Sequence, residues 1–253
     1  MKIDRDATSI GLFPGGETQG AKTAIIFGVA RGGTSMVAGA VRGHGFFLGH
    51  ALENNNEDLD FSYKSLEHMK KTISTRNQHR SKWGWKFPAA ANYLDDLLPS
   101  VRNPYLIVVS RDIVATSCGH VRWHRRETSF AISDILLQTQ RNMFLALRWR
   151  MPTLLVSYEK ASQRPGKFLD ELSQFLGEHV EVDRQRLIQY LRPGKYKKFE
   201  DVVGSQVDAE ASSELEAETS IEPEMQTSGE VTAEPANELE SEVPNDLQVG
   251  AAR

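Results

Sequence analysis

In Gly28-Val29-Ala30-Arg31-Gly32-Gly33-Thr34-Ser35, a short apolar run that starts at Ala24 feeds two adjacent glycines and then a helix start. Glycines let the backbone curl close to a ligand, and free amides at a helix N-terminus offer hydrogen bonds and partial positive charge to a phosphate or sulfate. Arg31 adds a bidentate cation, and Thr34 and Ser35 add hydroxyls, so the segment suits an anion. The plain alternative is a strand-to-helix turn with Arg31 in solvent. Against the nucleotide-triphosphatase pattern GxxxxGKS/T, Gly28 and Gly33 fall in register, but Thr34 stands where the lysine belongs. The group that reaches the outer phosphates is missing, which argues against a kinase or ATPase.

Other residues offer chemistry at comparable places. In Trp83-Gly84-Trp85-Lys86-Phe87-Pro88, strand alternation sets the three aromatic rings on one face and Lys86 on the other, at the strand's carboxyl end. Ligands of open α/β sheets gather outside that end. Arg111 follows a third apolar run, Tyr105 to Val109, and is read either as an anion ligand or as half of a surface ion pair. His120 and His124 stand four apart on a predicted helix, but Val121 follows His120 where the HExxH metal motif requires Glu, so no metal site is expected. Arg122-Trp123-His124-Arg125-Arg126 is a basic, aromatic run, either a solvated helix face or a grip for an anionic glycan or nucleic acid.

These side chains need strands and helices to position them. Predicted strands run over 24–29, 82–87, 105–109 and 153–157, with helices over 34–41, 89–98, from 112, over 130–149, from Pro165 to Gly177 and over 183–191. Strands separated by helices imply crossover connections, so the fold class is α/β with a mainly parallel sheet flanked by helices. Residues 1–21, polar and glycine-rich, read as a flexible leader.

Charge divides the chain of 253 residues and net charge −4 into two unlike parts. Residues 205–253 hold 13 Asp and Glu against Arg253 alone and no aromatic residue, a net of −12 that reads as a disordered acidic tail. Residues 1–204 hold 29 Lys and Arg against 21 Asp and Glu, a net of +8, and all 21 aromatic residues. The predicted folded domain is therefore 22–204, and it is basic. A single cysteine, Cys118, excludes an intramolecular disulfide scaffold and points to a reducing, cytoplasmic compartment. No stretch reaches the roughly 20 apolar residues that span a bilayer.

In this order the motifs resemble the sulfotransferases that use 3′-phosphoadenosine 5′-phosphosulfate (PAPS). Their 5′-phosphosulfate loop is a strand, Lys or Arg, a small residue, Gly, Ser or Thr, and a helix. Here it reads Arg31-Gly32-Gly33-Thr34-Ser35, most like members with Arg, including tyrosylprotein and some carbohydrate sulfotransferases. Lys86-Phe87-Pro88 is similar to their Lys-x-Pro, and Ser110-Arg111-Asp112 to the start of their 3′-phosphate motif. That motif departs from the family pattern at Ile113, where Pro is usual, and at Gly119, where its serine belongs, so Ser117 is taken as a substitute. Tyr158-Glu159 and Phe175-Leu176-Gly177 complete a likeness that covers Ala24 to Gly177.

The resemblance implies a P-loop-like sulfotransferase fold, PAPS as co-substrate without metal, and sulfuryl transfer to an acceptor hydroxyl, with a glycan or its precursor expected. It makes Arg31 and Lys86 the catalytic cations, and Gly32, Gly33, Thr34, Ser35, Arg111 and Ser117 donor ligands with Arg31. A base is needed because an alcohol is a poor nucleophile until its proton is taken. Glu57 ranks first for that role, then Glu53, Asp58 and His50. Lys195, Lys197 and Lys198 are candidates to close over the 3′-phosphate, as a late basic loop does in some relatives. The rival readings are a phosphotransferase with an atypical P-loop, a non-catalytic anion-binding protein, and nucleic-acid binding.

Overall fold

A computed structural model describes residues 4–13, 20–50, 52, 55–124, 127–194 and 197–204, without the side chains of 123 and 124. Glu53, Lys195, the end of the basic run at 125–126 and the whole acidic tail lie outside the described residues.

Strands β2 (Lys22–Gly28), β3 (Lys82–Lys86), β4 (Pro104–Ser110) and β5 (Thr153–Ser157) pair in parallel, and β1 (Ser9–Leu12) pairs antiparallel with β5. The order is β1-β5-β4-β2-β3, so the chain has the expected α/β fold with a mainly parallel sheet. The chain leaves β2 for β3 on one side and leaves β4 for β5 on the other. The topological switch point, where such sheets bind ligands, therefore lies outside the carboxyl ends of β2 and β4.

Alternation along the strands builds a core on each face. Ala24, Ile26, Ile107, Val109, Leu154 and Val156 pack against α1 (Thr34–Arg42), α7 (Pro165–Leu176), α8 (Arg184–Leu191) and α9 (Phe199–Val203). Ile25, Phe27, Trp83, Trp85, Leu106 and Val108 face α2 (Leu66–His79), α3 (Leu94–Leu97) and α5 (Thr128–Trp149). Two further helices, α4 (Ile113–His124) and α6 (Tyr158–Gln163), follow β4 and β5. Among the described residues no helix is long and apolar enough to cross a membrane.

Three local differences from the sequence-based expectation have clear causes. The leader is not loose throughout: Ser9 to Leu12 supply the edge that β5 lacks, and Glu171 on α7 accepts from the Thr8 hydroxyl at 2.5 Å and the Ser9 hydroxyl at 2.7 Å. The predicted helix over 89–98 is broken into a 3₁₀ turn, the single turn α3 and another 3₁₀ turn. Tyr93 sits at the first break, where its hydroxyl accepts from Trp85 Nε1 at 3.2 Å and donates to the Phe61 carbonyl at 3.0 Å. Helix α2 carries no sustained apolar stripe, burying Met69, Ile73 and the whole of Arg76, so its spacing gives no helix signal.

Candidate active site

The loop after β2 is shaped by close contacts. At Gly28 a Cβ would come within 2.5 Å of the Val109 carbonyl oxygen of β4. Gly33, the N-cap of α1, has φ 89°, and a Cβ there would meet the Tyr158 ring at 2.1 Å. Arg31 takes a left-handed φ of 64°, uncommon for a residue with a side chain. The amides that open α1 have no intrahelical acceptor and leave the helix's positive end at the loop.

Lys86, buried at the end of β3, donates to Glu57 Oε1 at 2.6 Å and to the Asn55 carbonyl at 3.3 Å. The segment that brings Glu57 here is fastened by Asn56, at φ 62°. Its amide donates to the Ser35 carbonyl at 3.1 Å and to the Tyr190 hydroxyl at 3.3 Å, and its oxygen accepts from Arg42 at 2.9 Å. The acid, the lysine and the α1 N-terminus are thereby tied into one unit.

On the other side of the switch point, Arg111 Nη1 donates to the Arg31 carbonyl at 2.9 Å, and its guanidinium lies 4.8 Å from the Tyr158 ring centroid. Arg111 Nε is buried and makes no hydrogen bond among the described residues, but it lies 3.8 Å from Glu159 Oε1, so Arg111 is also half of an ion pair. A buried N–H without a hydrogen bond is costly unless a ligand completes it.

These groups line one cavity of about 640 Å³. Its described lining holds six cationic side chains, Arg31, Lys86, Arg111, Arg122, Arg192 and Lys197, against the single carboxylate of Glu57. A second cavity, also about 640 Å³, lies along β1 and α7, where among the described residues Asp4, Asp170 and Glu171 face Lys167 alone. Its charge is wrong for an anion.

Arg31, Gly33, Thr34, Ser35, Glu57, Lys86 and Arg111 therefore meet in one place. Gly32 lies behind the surface, its amide donating to the Val29 carbonyl at 2.8 Å. Ser117 does not reach the cavity: it is buried on α4 and its hydroxyl donates to the Ile113 carbonyl at 2.7 Å, the usual fate of a helical serine. Cys118, Gly119 and Arg122 of α4 face the cavity instead. Gly119 lies against Arg31, where a Cβ would be 3.2 Å from the Arg31 Cβ.

Of the other acids, Asp58 is turned away and buried with Arg76, whose Nη1 donates to Asp58 Oδ2 at 2.5 Å. His50 packs its ring edge-on against Phe47. Lys197 borders the cavity but caps α8, donating to the carbonyls of Gln189 at 2.5 Å and Arg192 at 3.0 Å. Burial, with the Arg192 charge second, holds its ammonium below the ordinary lysine value. Tyr158, Tyr190 and Arg192 also line the cavity. Tyr158 carried only a structural signal, and nothing in the spacing of the other two set them apart from helix and turn residues.

No family model and no curated protein matches the chain. Among solved structures it is similar to the sulfotransferase domain of the Synechococcus PCC 7002 olefin synthase, at 14% identity over 75% of this chain and 87% of that one, with TM-score 0.45. It is also similar to retinol dehydratase in complex with retinol and PAP, at 12% identity over 72% and 67% of the two chains, with TM-score 0.40. A third match is retinol dehydratase in complex with androsterone and inactive cofactor PAP, at 10% identity over 81% and 82%, with TM-score 0.38.

Proposed function

We propose that this chain is a sulfotransferase that moves a sulfuryl group from PAPS to an acceptor hydroxyl. The observation that carries the reading is the cavity at the switch point, where among the described residues six cations and the N-terminus of α1 surround one carboxylate. A donor with phosphate at both ends of a nucleoside needs cations on two sides, and Arg31 and Lys86 stand on one while Arg111 stands on the other. Arg111 Nε, which makes no hydrogen bond among the described residues and has Glu159 Oε1 at 3.8 Å, fits the same need.

PAPS supplies the sulfuryl group and a phosphate leaving group. Sulfuryl transfer is in-line between two oxygens, and the catalytic work is neutralising charge on the bridging and leaving oxygens. The amides of Gly33 to Ser35 and the Arg31 guanidinium suit the 5′ end of the donor. Lys86 is placed to shift from Glu57 toward the bridging oxygen, which leaves the carboxylate open to the acceptor. As the acceptor oxygen bonds to sulfur and the bridging S–O bond breaks, the hydroxyl proton passes to Glu57. We place the acceptor among carbohydrates, because the Arg-type loop resembles that of some carbohydrate sulfotransferases.

A thermal-shift comparison separates this reading from a phosphotransferase. Stabilisation by adenosine 3′,5′-bisphosphate and not by ATP with magnesium is expected, and the reverse result overturns the proposal. Transfer of labelled sulfate from PAPS to a panel of glycans then tests the acceptor class.

A further inference from the structure

The anion loop is held from behind by side chains that lie far away in sequence. Its carbonyl oxygens are taken one after another. Asn142 of α5 donates to Gly28 at 2.9 Å, the Gly32 amide to Val29 at 2.8 Å, His120 Nε2 to Ala30 at 2.9 Å, and Arg111 to Arg31 at 2.9 Å. Because the acceptor is a carbonyl, His120 must carry its proton on Nε2. Asn142 and His120 are both buried, 5% and 6% exposed.

The peptide between Ala30 and Arg31 is the vulnerable one. It leads into the left-handed Arg31, and a turn of that peptide would exchange an N–H for a carbonyl oxygen beside the anion. His120 holds its carbonyl, while its neighbour Gly119 leaves room for the Arg31 side chain. We propose that His120 is a positioning residue of the anion site, holding the Ala30 carbonyl so that the loop amides stay turned to the ligand. The inference deepens the sulfotransferase reading and rests on it for the identity of the ligand.

Replacing His120 by Leu removes the donor, whereas Gln places an amide N–H near the position of Nε2. Calorimetry with adenosine 3′,5′-bisphosphate should show His120→Leu binding roughly tenfold more weakly than wild type and His120→Gln within about threefold of it. In turnover assays the leucine variant should raise KM for PAPS by a similar factor and leave KM for the acceptor unchanged. A merely structural role would lower stability without that split or that rescue. If His120→Leu does not fold, His120→Asn serves, because its amide falls short of Ala30. Wild-type affinity in a folded leucine or asparagine variant overturns the inference. Inorganic pyrophosphate is the second probe. If wild type binds it but not the bisphosphate, the PAPS assignment falls, and the His120 comparison is decided with pyrophosphate. If wild type binds neither, both readings fall.

Discussion

Lys86 Nζ stands 2.6 Å from Glu57 Oε1, so the lysine expected at the sulfuryl group and the acid ranked first as base form an ion pair. The lysine is 1% exposed and the acid 18%, so water screens the contact little. Two roles compete for one ammonium, since Lys86 cannot hold Glu57 and a sulfonate oxygen equally well. Glu57→Gln should therefore lower single-turnover rate by about 10²- to 10⁴-fold, the usual worth of a positioned base. Affinity for adenosine 3′,5′-bisphosphate should stay level or tighten. Lys86→Met should lower both, and a Glu57→Gln enzyme with wild-type turnover moves the base elsewhere.

Gly119 makes a second contrast. In the family resembled, a serine at this position contacts the 3′-phosphate, so Gly119→Ser would be expected to strengthen donor binding. Here a Cβ would lie 3.2 Å from the Arg31 Cβ and 3.5 Å from its Cγ, and Arg31 is constrained by its left-handed backbone. The serine variant should bind adenosine 3′,5′-bisphosphate several-fold more weakly, measured by calorimetry. Tighter binding would show that Arg31 yields and that the serine contact is recovered.

The two parts of the site that repeat a local pattern were legible in sequence. The buried β2 run and the glycines place Arg31 and the start of α1, and the alternation Trp83, Trp85, Phe87 sends Lys86 to the opposite face. What the chain brings together across distance was not. Nothing local to Ser117 shows that its hydroxyl is spent on Ile113, or that Gly119 faces the cavity in its place. The strand β1 escaped for the same reason, because Ser9 to Leu12 become a strand only through the edge that β5 offers.

Asp58, adjacent to Glu57, tests whether burial or chemistry explains an acid in this segment. Arg76 holds it at 2.5 Å, and the same guanidinium lies 5.3 to 5.8 Å from the ring centroids of Phe47, Phe61 and Trp83. Asp58→Asn leaves that buried cation with Asp60 at 3.0 Å as its remaining carboxylate. Losing one partner of a buried pair costs about 3 kcal/mol, which urea unfolding should register. Turnover per folded molecule should fall far less than in Glu57→Gln. Equal losses in the two variants would return Asp58 to the list of bases.

His44 sets a pH limit on the fold. Its ring is fully buried, with Nδ1 2.7 Å from the Ala40 carbonyl and Nε2 2.9 Å from the Ser173 hydroxyl, and burial pushes its pKa below the usual 6.5. A histidine depressed in the folded state binds fewer protons there than in the unfolded chain, so its contribution is complete above about pH 6.5 and is lost as pH falls below it. The slope from this one group reaches at most about 1.4 kcal/mol per pH unit. His44→Asn keeps a donor near Nδ1 for Ala40 but does not titrate. Urea midpoints from pH 8 to 5 should fall more steeply for wild type than for the variant, with the two curves converging at the acid end. Parallel curves would mean that His44 titrates alike in the folded and unfolded chain, and that the acid sensitivity of the fold lies in its carboxylates.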